Sequence, residues 1–90
     1  MSRKIAVLVR ERQDEALRMS IGLTLMDDVV DIYVLNRKLE STDSIVANLE
    51  TINDLELKIY SDYADQNYAE HVSVDQIANS MTDYDHVLPY

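Results

Sequence analysis

KIAVLVRERQDEALRMSIGLTLMDDVVDIYVL, residues 4–35, is the stretch that decides the fold. Residues 4–9 (KIAVLV) are an unbroken aliphatic and β-branched run after Lys4, the pattern of a strand covered on both faces. Residues 29–35 (VVDIYVL) repeat that pattern, with Asp31 near the entry. Between the two runs, residues 14–26 carry Leu17, Ile21 and Leu25 at helical spacing, and Ala16, Met19, Leu23 and Met26 widen the apolar stripe. A stripe that broad predicts burial on more than one side, by the sheet and by another helix or subunit. Gly22, the only glycine, sits inside this helix, where it costs about 1 kcal/mol relative to alanine. Close packing on the sheet is the expected compensation. Strand, helix and strand in succession predict parallel pairing through a right-handed crossover.

The pattern continues outward from this unit. Residues 42–52 open with Ser/Thr caps and Asp43, an acid that complements the dipole of a helix start. Ile45, Leu49 and Ile52 mark the helix's apolar face, with Val46 beside them. In residues 55–60 (LELKIY), Leu55, Leu57 and Ile59 alternate with Glu56, Lys58 and Tyr60, which predicts a strand nearer a sheet edge. Ser73 and Gln76 read as a capping box opening a third helix, with Val74, Ile77, Ala78 and Met81 as its buried face. Residues 86–90 (HVLPY) read as a short strand at an edge or a strand end, since Pro89 cannot donate a ladder hydrogen bond. Residues 61–72 form a polar, tyrosine-rich connection of a length that is often functional. The whole chain, residues 1–90, reads as a single α/β domain with three α/β/α layers around a short parallel sheet.

Composition narrows the function classes. The chain is 47% hydrophobic and 28% charged, an ordinary globular mix. The net charge of −9 is unevenly spread. Residues 1–38 hold seven of the eight Lys/Arg and six of the seventeen acids, a net of +1, and residues 39–90 hold Lys58 against eleven acids, a net of −10. Such a half repels phosphate backbones, so nucleic acid is not an expected partner. With no cysteine, disulfides, thiolate metal sites and persulfide chemistry are excluded. The longest apolar run falls far short of the roughly 20 residues that span a bilayer. Residues 1–9 have the charge order of a leader, but the apolar stretch is short and Arg10, Glu11 and Arg12 interrupt it. A first strand is the better reading, and the cytoplasm is the expected location.

In an open parallel sheet, ligands bind beyond the carboxyl ends of the strands where strand order switches. If the first two strands are neighbours, Arg10, Arg12, Arg37 and Lys38 share one rim there and suit a small anion. The alternative is that they are solvated loop charges paired with Glu11, Asp14, Glu15 and Glu40. A phosphate-binding glycine loop is excluded, because the sole glycine is mid-helix. His71 and His86 lie in unrelated elements and do not make a metal site, since zinc takes three or four ordered ligands. No nucleophile, base and oxyanion donor can be assembled. Neither catalytic residues nor a cofactor are therefore expected, and the six tyrosines are expected to pack at interfaces.

The segments KIAVLV, EALRMSIGLTLMDD, DIYVL and IVANLETINDLELKIY, together with the closing SMTDYDHVLPY, resemble in order and spacing the DsrE/DsrF/DsrH family of sulfur-relay proteins. The resemblance runs over nearly the whole chain. It implies helices on both faces of a sheet with strands in the order 3-2-1-4, and homo- or hetero-oligomers, often trimers or hexamers. Family members that transfer sulfur hold it as a persulfide on a cysteine just beyond the third core strand. Tyr60 or Ser61 stands about there in this chain, and neither carries sulfane sulfur. What the resemblance implies is a non-catalytic DsrE-like protein that assembles with itself or with a related subunit. Leu25, Met26, Tyr63 and Tyr68 are the candidate interface residues. The alternative expectation is a small-anion or nucleotide binding module built on the basic rim.

Overall fold

A computed structural model describes residues 3–26, 28–35, 39–62 and 69–90. The elements follow in the order β1 (Lys4–Val9), α1 (Gln13–Leu25), β2 (Val29–Val34), α2 (Asp43–Asp54), β3 (Lys58–Ser61), β4 (Glu70–His71), α3 (Val74–Ser80) and β5 (His86–Pro89). A 3₁₀ turn over Met81–Asp83 links α3 to β5. All strand pairs are parallel.

Strand order is β4-β3-β2-β1-β5, which corrects the expected 3-2-1-4. The extra strand is β4, two exposed residues that pair Tyr60 with Glu70 and Ser61 with His71 outside β3. Neither Glu70 nor His71 is apolar, so no hydrophobic pattern announces the strand. It forms because the chain returns alongside β3, where the Val72 N–H also donates to the Ser61 carbonyl at 2.9 Å.

Alternation along β1 and β2 divides the core into two layers. Ile5, Val7, Val9, Val30, Ile32 and Val34 point to one face and pack with Ala16 and Leu17 of α1 and Ile45 and Ile52 of α2. Ala6, Tyr33 and Leu35 point to the other and pack with Ile77 of α3. Helices α1 and α2 are tied at their amino ends. The Asp14 carboxylate accepts from Ser44 Oγ at 2.5 Å and Asn48 Nδ2 at 2.8 Å, and it pairs with Arg18 at 3.3 Å. Buried Gln13 accepts from the Glu40 N–H at 2.9 Å, which fixes the entry to α2.

The expected strand over residues 55–60 is shorter, because α2 runs on to Asp54. A Schellman motif ends the helix. The Leu57 N–H reaches the Ile52 carbonyl and the Glu56 N–H reaches that of Asn53, both at 3.1 Å. The position that a Schellman motif usually gives to glycine holds Glu56, at φ 60°. Helix α3 opens with the capping box of Ser73 and Gln76. Its buried face is narrower than expected: Ile77 is buried, whereas Val74 and Ala78 are exposed. Gly22 is exposed too, and a Cβ built on it meets nothing within 4 Å. Packing on the sheet therefore does not account for this glycine.

Two substitutions should stabilise the fold. Gly22→Ala removes a mid-helix glycine without a clash and is expected to add about 0.5–1 kcal/mol. Glu56→Gly relieves an L-residue held in the left-handed region, a conformation that costs about 1–2 kcal/mol. Urea unfolding should place both midpoints above the parent's with an unchanged slope. A lower midpoint for Gly22→Ala would mean that this position has a neighbour in solution.

Candidate functional site

Of the expected rim, Arg10 and Arg12 lie among the described residues. The order switch falls at β1, which is flanked by β2 on one side and β5 on the other. The main-chain oxygen of Tyr90 accepts there from the amides of Glu11 (3.4 Å) and Arg12 (3.3 Å), donors that an anion at this point would use. Arg12 lays its guanidinium over the Tyr90 ring, 5.2 Å from the centroid, and pairs with Glu15 at 3.8 Å. Arg10 is exposed. Arg37 and Lys38 lie outside the described residues, as do Tyr63 and Tyr68. A cleft of about 280 Å³ beside this rim lies between the starts of α1 and α2.

A larger cleft, about 500 Å³, opens at the other end of the sheet on the α3 face. Its cause is a mismatch of lengths. The seven residues of α3 reach about 10 Å, whereas the six-residue strands β1 and β2 run about 20 Å. Ile77 covers the carboxyl half of that face and leaves the amino half to the side chains of the strands themselves. The register sets those side chains in rows. Ala6, Asp31 and Lys58 lie side by side on β1, β2 and β3, and Leu8, Tyr33 and Tyr60 form the next row. Asp31, in the middle of the first row, and Tyr33 and Tyr60 of the next line the cleft, whereas Ala6 is buried.

Tyr84, delivered by the turn after α3, closes one wall. Its hydroxyl donates to Asp31 Oδ2 at 2.6 Å. That single proton is then committed, so the Tyr33 hydroxyl donates to the Tyr84 oxygen 2.7 Å away. The three rings form a cluster: Tyr33 stacks on Tyr60 with centroids 5.0 Å apart and meets Tyr84 edge-on at 6.0 Å. Lys4 Nζ sits 5.0 Å from the Tyr84 centroid. Burial first, then the hydrogen bonds to Asp31 and Tyr33, hold the Tyr84 phenol far above its ordinary value of 10.0. Burial, then the charge of Asp31, raises Tyr60 as well. Both stay neutral hydrogen-bonding groups rather than becoming phenolate nucleophiles.

At the cleft's edge the buried Asp28 carboxylate pairs with the half-exposed Arg3 at 3.3 Å. The Arg3 side chain, against an opposing desolvation effect, holds this carboxyl below its ordinary 3.8. Among the described residues, no three His, Cys, Asp or Glu side chains are placed to hold a metal, and no helix is long and apolar enough to cross a membrane. His71 and His86 are exposed on β4 and β5, at opposite edges of the sheet. The Tyr60–Ser61 pair divides between the two faces. Tyr60 joins the tyrosine cluster, and Ser61 is fully buried.

The sequence reading did not find the Asp31, Tyr33, Tyr60 and Tyr84 cluster. The available signal was the spacing of Asp31 with Tyr33 and of Lys58 with Tyr60, each pair two apart on a strand and so on one face.

A depressed carboxylate has a definite consequence for acid stability. The Asp28 contribution is in full above its ordinary value of 3.8 and is lost as pH falls through the lower folded-state value. Arg3→Ala should therefore lower the melting temperature at pH 7 and converge on the parent once the solution is acid enough to protonate Asp28 in the folded protein, below its ordinary value. A gap that persists unchanged at low pH would assign the effect of Arg3 to something other than its charge. Comparison of the chain with protein-family models, with curated proteins and with solved structures finds no match in any of the three.

Proposed function

We propose that this chain is a non-catalytic, DsrE-like α/β subunit of the cytoplasm that works by assembling with copies of itself or with a related subunit. The observation that carries this reading is the corner where α1 passes into β2. Leu25, Met26 and Val29 stand there 70%, 73% and 51% exposed. Single exposed apolar side chains are normal on a soluble protein, but contiguous ones mark binding surfaces. Met19, seven residues before the C-cap Met26 and so on the same side of α1, is also exposed.

Two further features support the reading. Tyr60 and Ser61 end β3, about where the resemblance puts a persulfide-carrying cysteine, and a hydrogen-bonding phenol and a buried hydroxyl do not perform that chemistry. In addition, the sheet is parallel and carries helices on both faces, the α/β class that the resemblance implies. The sheet and helix layers thus suit a scaffold whose surface is the working part.

Native mass spectrometry of the parent and of Leu25→Asp, Met26→Asp and the double variant tests the proposal. The parent should be a trimer or hexamer, or retain a second subunit. Each charged substitution should weaken the assembly, and the pair should yield a monomer with an unchanged circular dichroism spectrum. Both side chains are exposed, so the fold itself should tolerate the changes. A parent that is monomeric and partner-free, or a double variant of unchanged mass, would refute the assignment.

A further inference from the structure

We propose that the cleft over the amino half of the sheet binds small organic ammonium ions that carry an apolar body. This site lies on the α3 face and shares only Val29, at its rim, with the assembly surface proposed above; its charged and aromatic groups are separate from Leu25 and Met26. Its volume, about 500 Å³, falls within the range of small-molecule pockets. Four carboxylates, Asp28, Asp31, Glu56 and Asp83, line it against two lysines, Lys4 and Lys58. Arg3 neutralises Asp28, and the remaining acids still outnumber the lysines. The whole chain carries −9, so the surrounding field also favours a cation.

The aromatic wall makes the site selective for an ammonium rather than for any cation. Tyr60 is fixed by its stack on Tyr33 and lies in the row next to Asp31 on the same face. An ammonium at the junction of the two rows meets a carboxylate on one side and a ring face on the other, and a desolvated cation gains from both. The neighbouring Tyr84 ring already holds a primary ammonium in this way, that of Lys4 at 5.0 Å. An apolar body has its own surface in the half-exposed Val29 and in the rings of Tyr60 and Tyr84, which line the same cleft. Asp31 is held in place by the Tyr84 hydroxyl, so its charge is positioned before any ligand arrives. Inorganic cations lack the body, and carboxylate ligands meet repulsion.

The test is a titration followed by amide correlation spectra, with phenethylammonium as the probe. 2-Phenylethanol serves as its neutral isostere and 3-phenylpropionate as its anionic counterpart. Phenethylammonium should shift Asp31, Lys58, Tyr60 and Tyr84 saturably, and the two controls should leave them in place. Asp31→Asn keeps an acceptor for Tyr84 but removes the charge, and it should weaken binding about tenfold. Tyr60→Leu should weaken binding and Tyr60→Phe should preserve it. Lys58→Gln removes a competing positive charge from an exposed position and should tighten binding several-fold, a gain that a merely disturbed fold does not produce. Equal shifts with the alcohol would overturn the proposal, as would binding indifferent to both Asp31→Asn and Lys58→Gln. Shifts seen only with a lysine-rich peptide would overturn it in favour of a protein partner. If Asp31→Asn fails to fold, Lys58→Gln and the Tyr60 pair decide the matter.

Discussion

Strand β1 hydrogen-bonds along both of its edges, to β2 over Lys4–Val9 and to β5 over residues 5–8. Ile5, Ala6, Val7 and Val9 are buried, at most 2% exposed. A strand in that position has no solvent face along its middle, so its side chains there must be apolar or small, and residues 5–9 (IAVLV) meet this demand. Everything else is placed relative to β1. Its odd-numbered side chains form the floor for α1 and α2, and Ala6 and Leu8 form the floor for α3.

A short third helix leaves part of a twisted sheet without a cover, and the chain fills that space with polar and aromatic groups. Asp31 on a central strand would be costly if left unpartnered in a partly buried place. Tyr84 and Tyr33 meet that need through a two-step relay of hydrogen bonds. At the opposite end of the sheet, Tyr90 occupies the switch point with its main-chain oxygen and its ring. The two ends of the same sheet therefore differ in chemistry: one is closed by the chain itself and the other is open and acidic.

How much of this was legible in the sequence depends on whether local pattern or long-range register decides a feature. KIAVLV and VVDIYVL announce themselves, since a strand buried on both faces has to be apolar throughout. The Ser73–Gln76 capping box is local as well and appears as read. LELKIY misled because the alternation of Leu55 and Leu57 with Glu56 also fits a helix end, and the Schellman bonds to Asn53 and Ile52 prevail. Strand β4 carries no hydrophobic signal at all. The tyrosine cleft needed two facts that the sequence does not hold: the register that puts Asp31 beside Lys58, and the path that brings Tyr84 back over β2. Val74 and Ala78 looked like core because helical spacing reveals a face but not how much of it the sheet can reach.

The pairing of β1 with β5 also bears on how the fold is reached. Asp85 accepts from the Lys4 amide across a sequence separation of 81 residues, whereas the Arg3–Asp28 contact spans 25. Closing the longer loop costs more chain entropy and is rewarded only when both partners are already in place. The β1-α1-β2-α2-β3 unit can gather through shorter loops, but until β5 docks, one edge of β1 remains an unpaired row of amides and carbonyls. Such an edge is a template for strands of other molecules, so the arrival of residues 85–89 is the step that separates folding from association through the wrong surface.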